Sequence, residues 1–329
     1  MSSHRAAAPR FKHPAVTPRF SPTGDDKTII KFVHDHRIAD SEMIYRRLPH
    51  RSRQQLSRRL NGLRKALYLA RLPQQAARFR PGGGSEHLFY VLDRAGARHI
   101  RETCHIPVPL THWTQKNQGL KLPSIDHALN TSRIVAGLEC ALPRHDGLAL
   151  VPFAELLERH APERTRKAAT PDRWRTRVTW RGSTSEEGIR PDRIFALTAT
   201  GRPAPDCYFL ENDEGTETIE PSLTRQKPAI FFRQNSILRK FVLYAATFHN
   251  RTHEQRFGVP SFRVLMVTTT PARALNMIDA YQRRLRPEPV AAPTGLFLFT
   301  DRATLAAHDG DLLAVPWQNG AGKPVFLSP

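Results

Sequence analysis

The chain has 329 residues, 40% of them apolar, and carries 50 Lys and Arg against 30 Asp and Glu, a net charge of +20. That length suits two ordinary domains with real cores, and the excess of cations predicts a polyanionic partner: nucleic acid first, then a membrane surface or an acidic protein. Cys104, Cys140 and Cys207 form no CxxC pair, which excludes a zinc ribbon and a disulfide framework and fits a reducing cytoplasm.

Residues 1–24 are rich in proline and basic side chains and lack the apolar stretch of a signal peptide. They read as a disordered basic tail. No apolar run approaches the roughly 20 residues that span a bilayer. "DDKTIIKFVHDH" (25–36) predicts a helix capped by Asp25 or Asp26, with Ile29, Ile30, Phe32 and Val33 on its apolar side. "DSEMIYRRL" predicts a second helix, broken by "PHRS". Ser52 then caps a third, "RQQLSRRLNGLRKALYL", in which Leu56, Leu60, Leu63 and Leu67 form one stripe. A strand, a Gly-rich turn "RPGGGSE", the strand "HLFYVLD" and a helical turn follow.

Three helices followed by a hairpin is the order of a winged helix-turn-helix, expected over 25–100, with its third helix in the DNA major groove. From Tyr45 to Arg80 there are ten Arg and one Lys and no acid. Arg53, Gln54, Arg58 and Arg59 lie off the leucine stripe, and Arg and Gln bond guanine and adenine edges. Arg78 and Arg80 flank the hairpin tip, where a wing meets phosphates or the minor groove. The alternative is a solvated basic face, or a winged helix used for protein contacts.

Residues 101–123 contain three prolines and no period and read as a linker. The second domain, 124–329, is expected to begin with the helix "SIDHALNTSRIVAGLECAL", turning Leu129, Ile134, Leu138 and Leu142 inward. A basic, proline-broken loop covers about 159–177. Next come a strand "RVTW", a hairpin over 191–216, a helix over about 234–249, the strand "FRVLMVTTT", a helix, the strand "GLFLFT" and an edge hairpin. This order predicts a mixed α/β sheet.

The hairpin "PDRIFALTATGRPAPDCYFLENDEGT" carries three acids in a basic chain. Residues i and i+2 of a strand share a side, so Glu211 and Asp213 are expected to project together, with Asp192 beside them on the paired strand. Three clustered carboxylates repel unless a cation joins them, and magnesium or manganese prefers such an oxygen shell. The ion would activate water and steady a phosphodiester transition state. Lys240 borders the stripe Ile237, Phe241, Tyr244 and Phe248 and is expected to bring its ammonium to the acids; Lys227 is the alternative donor. The other reading has these acids capping a helix, pairing with arginines or solvated.

Pro-Asp followed by an acidic pair on the next strand resembles the PD-(D/E)xK nuclease-like, or restriction-endonuclease-like, fold. Asp213 stands where that family usually has lysine, and some members carry the lysine on the following helix, which corresponds to Lys240. More closely, "RPD", "YFLENDEGTE" and "LRKFVLY" behind a winged helix resemble the replication-relaxation family of plasmid and mobile-element proteins. Glu211, Asp213, Gly215 and Thr216 match its acid-x-Asp and Gly-Thr. The resemblance covers roughly 25–285 and implies a role in plasmid replication and relaxation of supercoiled DNA. The expected activity is duplex-DNA binding with magnesium-dependent nicking, alone or with other replication or relaxosome proteins. A non-enzymatic regulator or accessory factor with an inactive nuclease-like domain is the alternative, and an RNA-binding role rests on charge alone.

Other motifs carry less. "HDH" (34–36) has Asp35 between its histidines and lies on a helix, unlike relaxase metal pairs. His249 and His253 have zinc spacing but no third ligand. "PGGGS" lacks the Gly-Lys-Ser/Thr of a phosphate loop. The scattered aromatics form no stacking platform.

Overall fold

The computed structural model describes residues 20–78, 87–104, 119, 121–221 and 231–327. Most of the basic tail, the hairpin tip with Arg80, most of the 101–123 segment and Lys227 lie outside the described residues, as does the side chain of Arg78. The chain divides into two compact units, Met1–Cys140 and Ala141–Pro329.

In the first unit, α1 (Gly24–His36) opens at Thr23, whose backbone N–H and hydroxyl both donate to Asp26 at 2.8 Å. Such a reciprocal cap satisfies donors that a helix start leaves open. After β1 (Ala39–Asp40), Asp40 caps α2 (Ser41–Arg47) by accepting from the Met43 N–H at 2.8 Å. Ser52 and Gln55 form a second reciprocal cap on α3 (Arg53–Lys65). Leu56, Leu60 and Leu63 are buried as their spacing requires. The helix stops at Lys65, and Leu67, in the left-handed region, turns the chain into β2 (Leu69–Ala70). β3 (Phe89–Leu92) lies between β1 and β2, antiparallel to both. The helix α4 (Arg94–Cys104) follows, and Gly96 allows it close approach: a Cβ there would sit 2.2 Å from the Tyr68 carbonyl oxygen.

The helix α5 (Leu122–Ala141) belongs to this first unit, where the sequence reading opened the second domain with it. Ile125, Leu129 and Ala136 join the core formed by α1 to α3. The Ser132 hydroxyl donates to the His36 carbonyl at 2.7 Å, and Arg133 pairs with Asp40 at 2.7 Å. An apolar stripe announces a helix and does not say which core it faces.

The second unit is a mixed α/β fold. It contains β4 (Leu148–Pro152), α6 (Phe153–His160), a short helix Glu163–Arg166 (α7), β5 (Trp174–Trp180), β6 (Ser183–Ile189), β7 (Arg193–Ala199) and β8 (Asp206–Asn212). Then come α8 (Ile237–His249), α9 (Thr252–Phe257), β9 (Phe262–Thr268), α10 (Pro271–Ala280), β10 (Phe297–Asp301), α11 (Arg302–Ala307), β11 (Trp317–Asn319) and β12 (Pro324–Val325). The seven-stranded sheet has the order β12-β11-β10-β9-β8-β7-β4. β8, β9 and β10 run parallel at its centre, flanked by antiparallel neighbours. β5 and β6 form a separate hairpin. Phe241 and Tyr244 of α8 pack with Phe209, Val264 and Phe297 in one core cluster. This burial holds α8 against the sheet and fixes what its polar residues can reach.

Candidate functional site

The acids lie at the carboxyl end of β8, the end where ligands gather in open α/β sheets. β7 and β8 pair with Arg193 opposite Leu210. The ladder extends one step, with the Asp192 N–H donating to the Leu210 carbonyl at 3.0 Å. The Asp192 carboxylate in turn accepts the Asn212 N–H at 2.8 Å. Asp192 is thereby fixed beside the end of β8.

Glu211 is 2% exposed. Its Oε2 lies 3.0 Å from the Lys240 Nζ, and its Oε1 accepts the Tyr244 hydroxyl. Lys240 and Tyr244 are one helical turn apart on α8 and so meet the same carboxylate. Lys240 also reaches the Glu217 carboxylate at 3.0 Å. Asp192 stands close enough for its charge to act on Glu211, Lys240 and Tyr244. Burial pushes the Glu211 carboxyl up to about 7 against the pull of Lys240, with Asp192 adding to the rise. For Lys240, burial works to lower the ammonium, but Glu211, Glu217 and Asp192 outweigh it and hold it above the ordinary lysine value.

Asp213 follows a different path. It lies past the end of β8, its N–H continuing the ladder to the Val267 carbonyl at 2.8 Å. Its carboxylate takes the Thr268 hydroxyl at 2.5 Å and two bonds from Arg273 at 2.6 and 3.0 Å. Burial would raise it, but Arg273 and Thr268 prevail and keep it below the ordinary carboxylate value. Arg273 also donates to the Glu217 carbonyl at 2.5 Å. The repulsion that would call for a shared ion is thus relieved by two protein cations, Lys240 for Glu211 and Arg273 for Asp213. Among the described residues, no group of three or more His, Cys, Asp or Glu is placed to hold one metal ion. The expected set of three carboxylates round a single ion is therefore replaced by Asp192 and Glu211 beside Lys240, with Asp213 separately paired.

Tyr244, Glu217, Thr268 and Arg273 were not singled out in the sequence as site residues. Only Tyr244 left a signal: a hydroxyl on the buried stripe of a helix must find a partner. His249 and His253 hydrogen-bond to backbone oxygens, His249 to Ala291 at 2.6 Å and His253 to Thr247 and Pro260 at 3.3 Å.

In the first unit, the four α3 residues expected to meet DNA divide into two pairs. Arg53 makes a bidentate bond to Glu42 at 2.6 and 3.1 Å and lies over the Tyr45 ring at 4.4 Å. Arg59 binds the buried Asp26 and donates to the Thr23 hydroxyl at 3.0 Å, tying α3 to the start of α1. Gln54 and Arg58 are exposed. Arg51 pairs with Asp25 at 2.5 Å. The acid-free run from Tyr45 is in this way partly neutralised by Asp25, Asp26 and Glu42, which lie before it in the chain.

Among the described residues, no helix is long and apolar enough to cross a membrane. A sequence profile described as replication-relaxation matches residues 30–259, a span that includes α3, Asp192, Glu211, Asp213 and Lys240. No curated protein and no solved structure gives a significant match.

Proposed function

The chain belongs to the replication-relaxation family, matched over more than two thirds of its length, and from this we propose that it is a duplex-DNA-binding protein of plasmid or mobile-element replication or relaxation. One observation carries the proposal: α3 buries its leucines, carries no acid, and turns Gln54 and Arg58 to solvent. The order α1-β1-α2-α3-β2-β3 supports reading the unit as a winged helix-turn-helix with α3 in the major groove. Arg53 and Arg59 then brace the helix, while Gln54 and Arg58 meet the duplex. The test is a gel shift of the full chain on plasmid-derived duplexes. Substituting Gln54→Ala and Arg58→Ala together should weaken binding; unchanged binding would remove α3 from the interface.

A second reading is favoured by the meeting of Asp192, Glu211 and Lys240 at the end of β8. Magnesium is commonly held by one or two carboxylates together with substrate phosphate, and Asp192 and Glu211 are the residues that would hold magnesium or manganese here. When bound, the ion would supply Lewis acidity and an activated water. The chain's own groups have separate parts. Tyr244 and Lys240 orient Glu211, the Asn212 N–H orients Asp192, and the Lys240 ammonium offers positive charge to a phosphodiester. In this reading the protein nicks supercoiled plasmid. The Asp192→Ala variant should lose nicking and keep its gel-shift affinity. If the unaltered protein nicks with neither ion, the second unit is a non-enzymatic assembly module for other replication proteins.

A further inference from the structure

We infer that the β5–β6 hairpin is a second duplex-DNA-binding surface, one carried by the second unit and separate from α3. The inference rests on the reading of the protein as a duplex-DNA-binding protein. The hairpin stands outside the main sheet as a two-stranded ribbon, an element that a DNA major groove can admit. The two faces of β5 are sharply divided. Trp174, Thr176, Val178 and Trp180 are buried, while Arg175, Arg177 and Thr179 are exposed between them. Over residues 159–189, the ribbon and the segment leading into it, there are eight Arg and Lys against four Asp and Glu, and all eight cations are exposed.

Internal pairing accounts for only part of this charge. Glu155 takes Arg159, Glu163 takes Lys167, and Glu186 stands 3.6 Å from Arg175. Among the described residues no carboxylate pairs with Arg173 or Arg177. Glu186, opposite Arg177 in the register and 3.6 Å from Arg175, offsets only one of these two strand charges, and the buried face already holds the hairpin in place without them. A polyanion along the ribbon would offset the rest.

The anchoring of the ribbon connects it to the acidic site. The Trp174 indole N–H donates to the Thr247 hydroxyl at 3.0 Å, Asn250 donates to the Arg177 carbonyl at 2.6 Å, and Arg239 pairs with Glu187 at 3.0 Å. All three fasten it to α8 or its end, and Lys240 follows Arg239 directly. At its other end β6 stops at Ile189, three residues before Asp192. Duplex lying on the ribbon is therefore held against α8, the helix that presents Lys240, and at the end of β6 that leads on to Asp192.

The experiment uses the full chain with Arg173→Gln, Arg175→Gln and Arg177→Gln combined, and reads duplex binding by fluorescence anisotropy across a salt titration. The slope of log K against log salt should become shallower by about three, roughly one for each lost phosphate contact, with a loss of at least ~10-fold in affinity at 100 mM salt. An unchanged slope in a protein that binds duplex and responds to Arg58→Ala would overturn the inference and leave the α3 reading standing. The reverse pattern would support the ribbon and remove α3. Equal loss on single strands or heparin would overturn the assignment to duplex. Should the triple variant misfold by circular dichroism, trypsin footprinting of the unaltered protein decides: duplex must protect cleavage after Arg175 and Arg177.

Discussion

Replacing Lys240 by Met tests whether the site is held by its internal charges. The lysine side chain is 24% exposed and the Glu211 side chain 3%, so this is a largely desolvated pair. Removing one partner of such a pair strands the other charge, at about 3–5 kcal/mol. The loss should fall near the lower bound, about 3 kcal/mol, for two reasons. Tyr244 still donates to Glu211, and a carboxyl already pushed up to about 7 by burial escapes part of the penalty by taking a proton. For a unit of this size that corresponds to a fall in Tm of roughly 6–12 °C. Methionine conserves the stem, so the loss is electrostatic and not a cavity. Urea unfolding followed by tryptophan fluorescence measures it. Adding Glu211→Gln should recover most of the loss, because a neutral pair leaves no charge buried. A Lys240→Met variant as stable as the parent, or a double variant worse than the single, would refute the description of Lys240 as the counter-ion of Glu211.

Arg59→Ala should lower stability by about 1–2 kcal/mol, since it takes a charged partner from the fully buried Asp26, whereas Arg58→Ala should stay within about 0.5 kcal/mol; thermal melts compare the two. Asp311 supplies a pH test. Burial works to raise its carboxyl, but His145 at 2.8 Å, the Leu313 N–H and Arg144 hold it below its ordinary 3.8. A depressed carboxyl stabilises the fold above its unfolded value and loses that contribution as pH falls through its folded value. Asp311→Asn should therefore cost about 1 kcal/mol near pH 6, with the gap to the parent closing as pH drops below 3.8 in urea titrations.

What could be read in the sequence was what depends on near neighbours. The cap Ser52 and the leucines Leu56, Leu60 and Leu63 of α3 are local, and each appears in the fold, while Leu67 falls past the helix end. The position of Lys240 followed from the helical wheel of α8, because one apolar stripe fixes every other direction on the helix. β6 escaped notice: "STSEEGI" is small, polar and acidic, and only pairing with β5 makes it a strand. β4 was missed as well, since "LALVP" is short and ends in proline, and it pairs only with β7. The partners of the acids were hidden for a stronger reason. Arg273 lies 60 residues from Asp213 and meets it because α10 follows β9 across the same sheet end. No spacing rule encodes that meeting. The helical position of Arg59 points to DNA, but Asp26 of another helix takes its guanidinium, a meeting the sequence does not encode.

The central claim, that this chain is built to hold duplex DNA, is tested most directly by titrating duplex binding of the full protein against salt. Binding should be tight at low salt, with a log–log slope of several units and a slope reduced by about one in Arg58→Ala. A protein that leaves duplex unbound at low salt, or binds it with no dependence on salt, would contradict the claim.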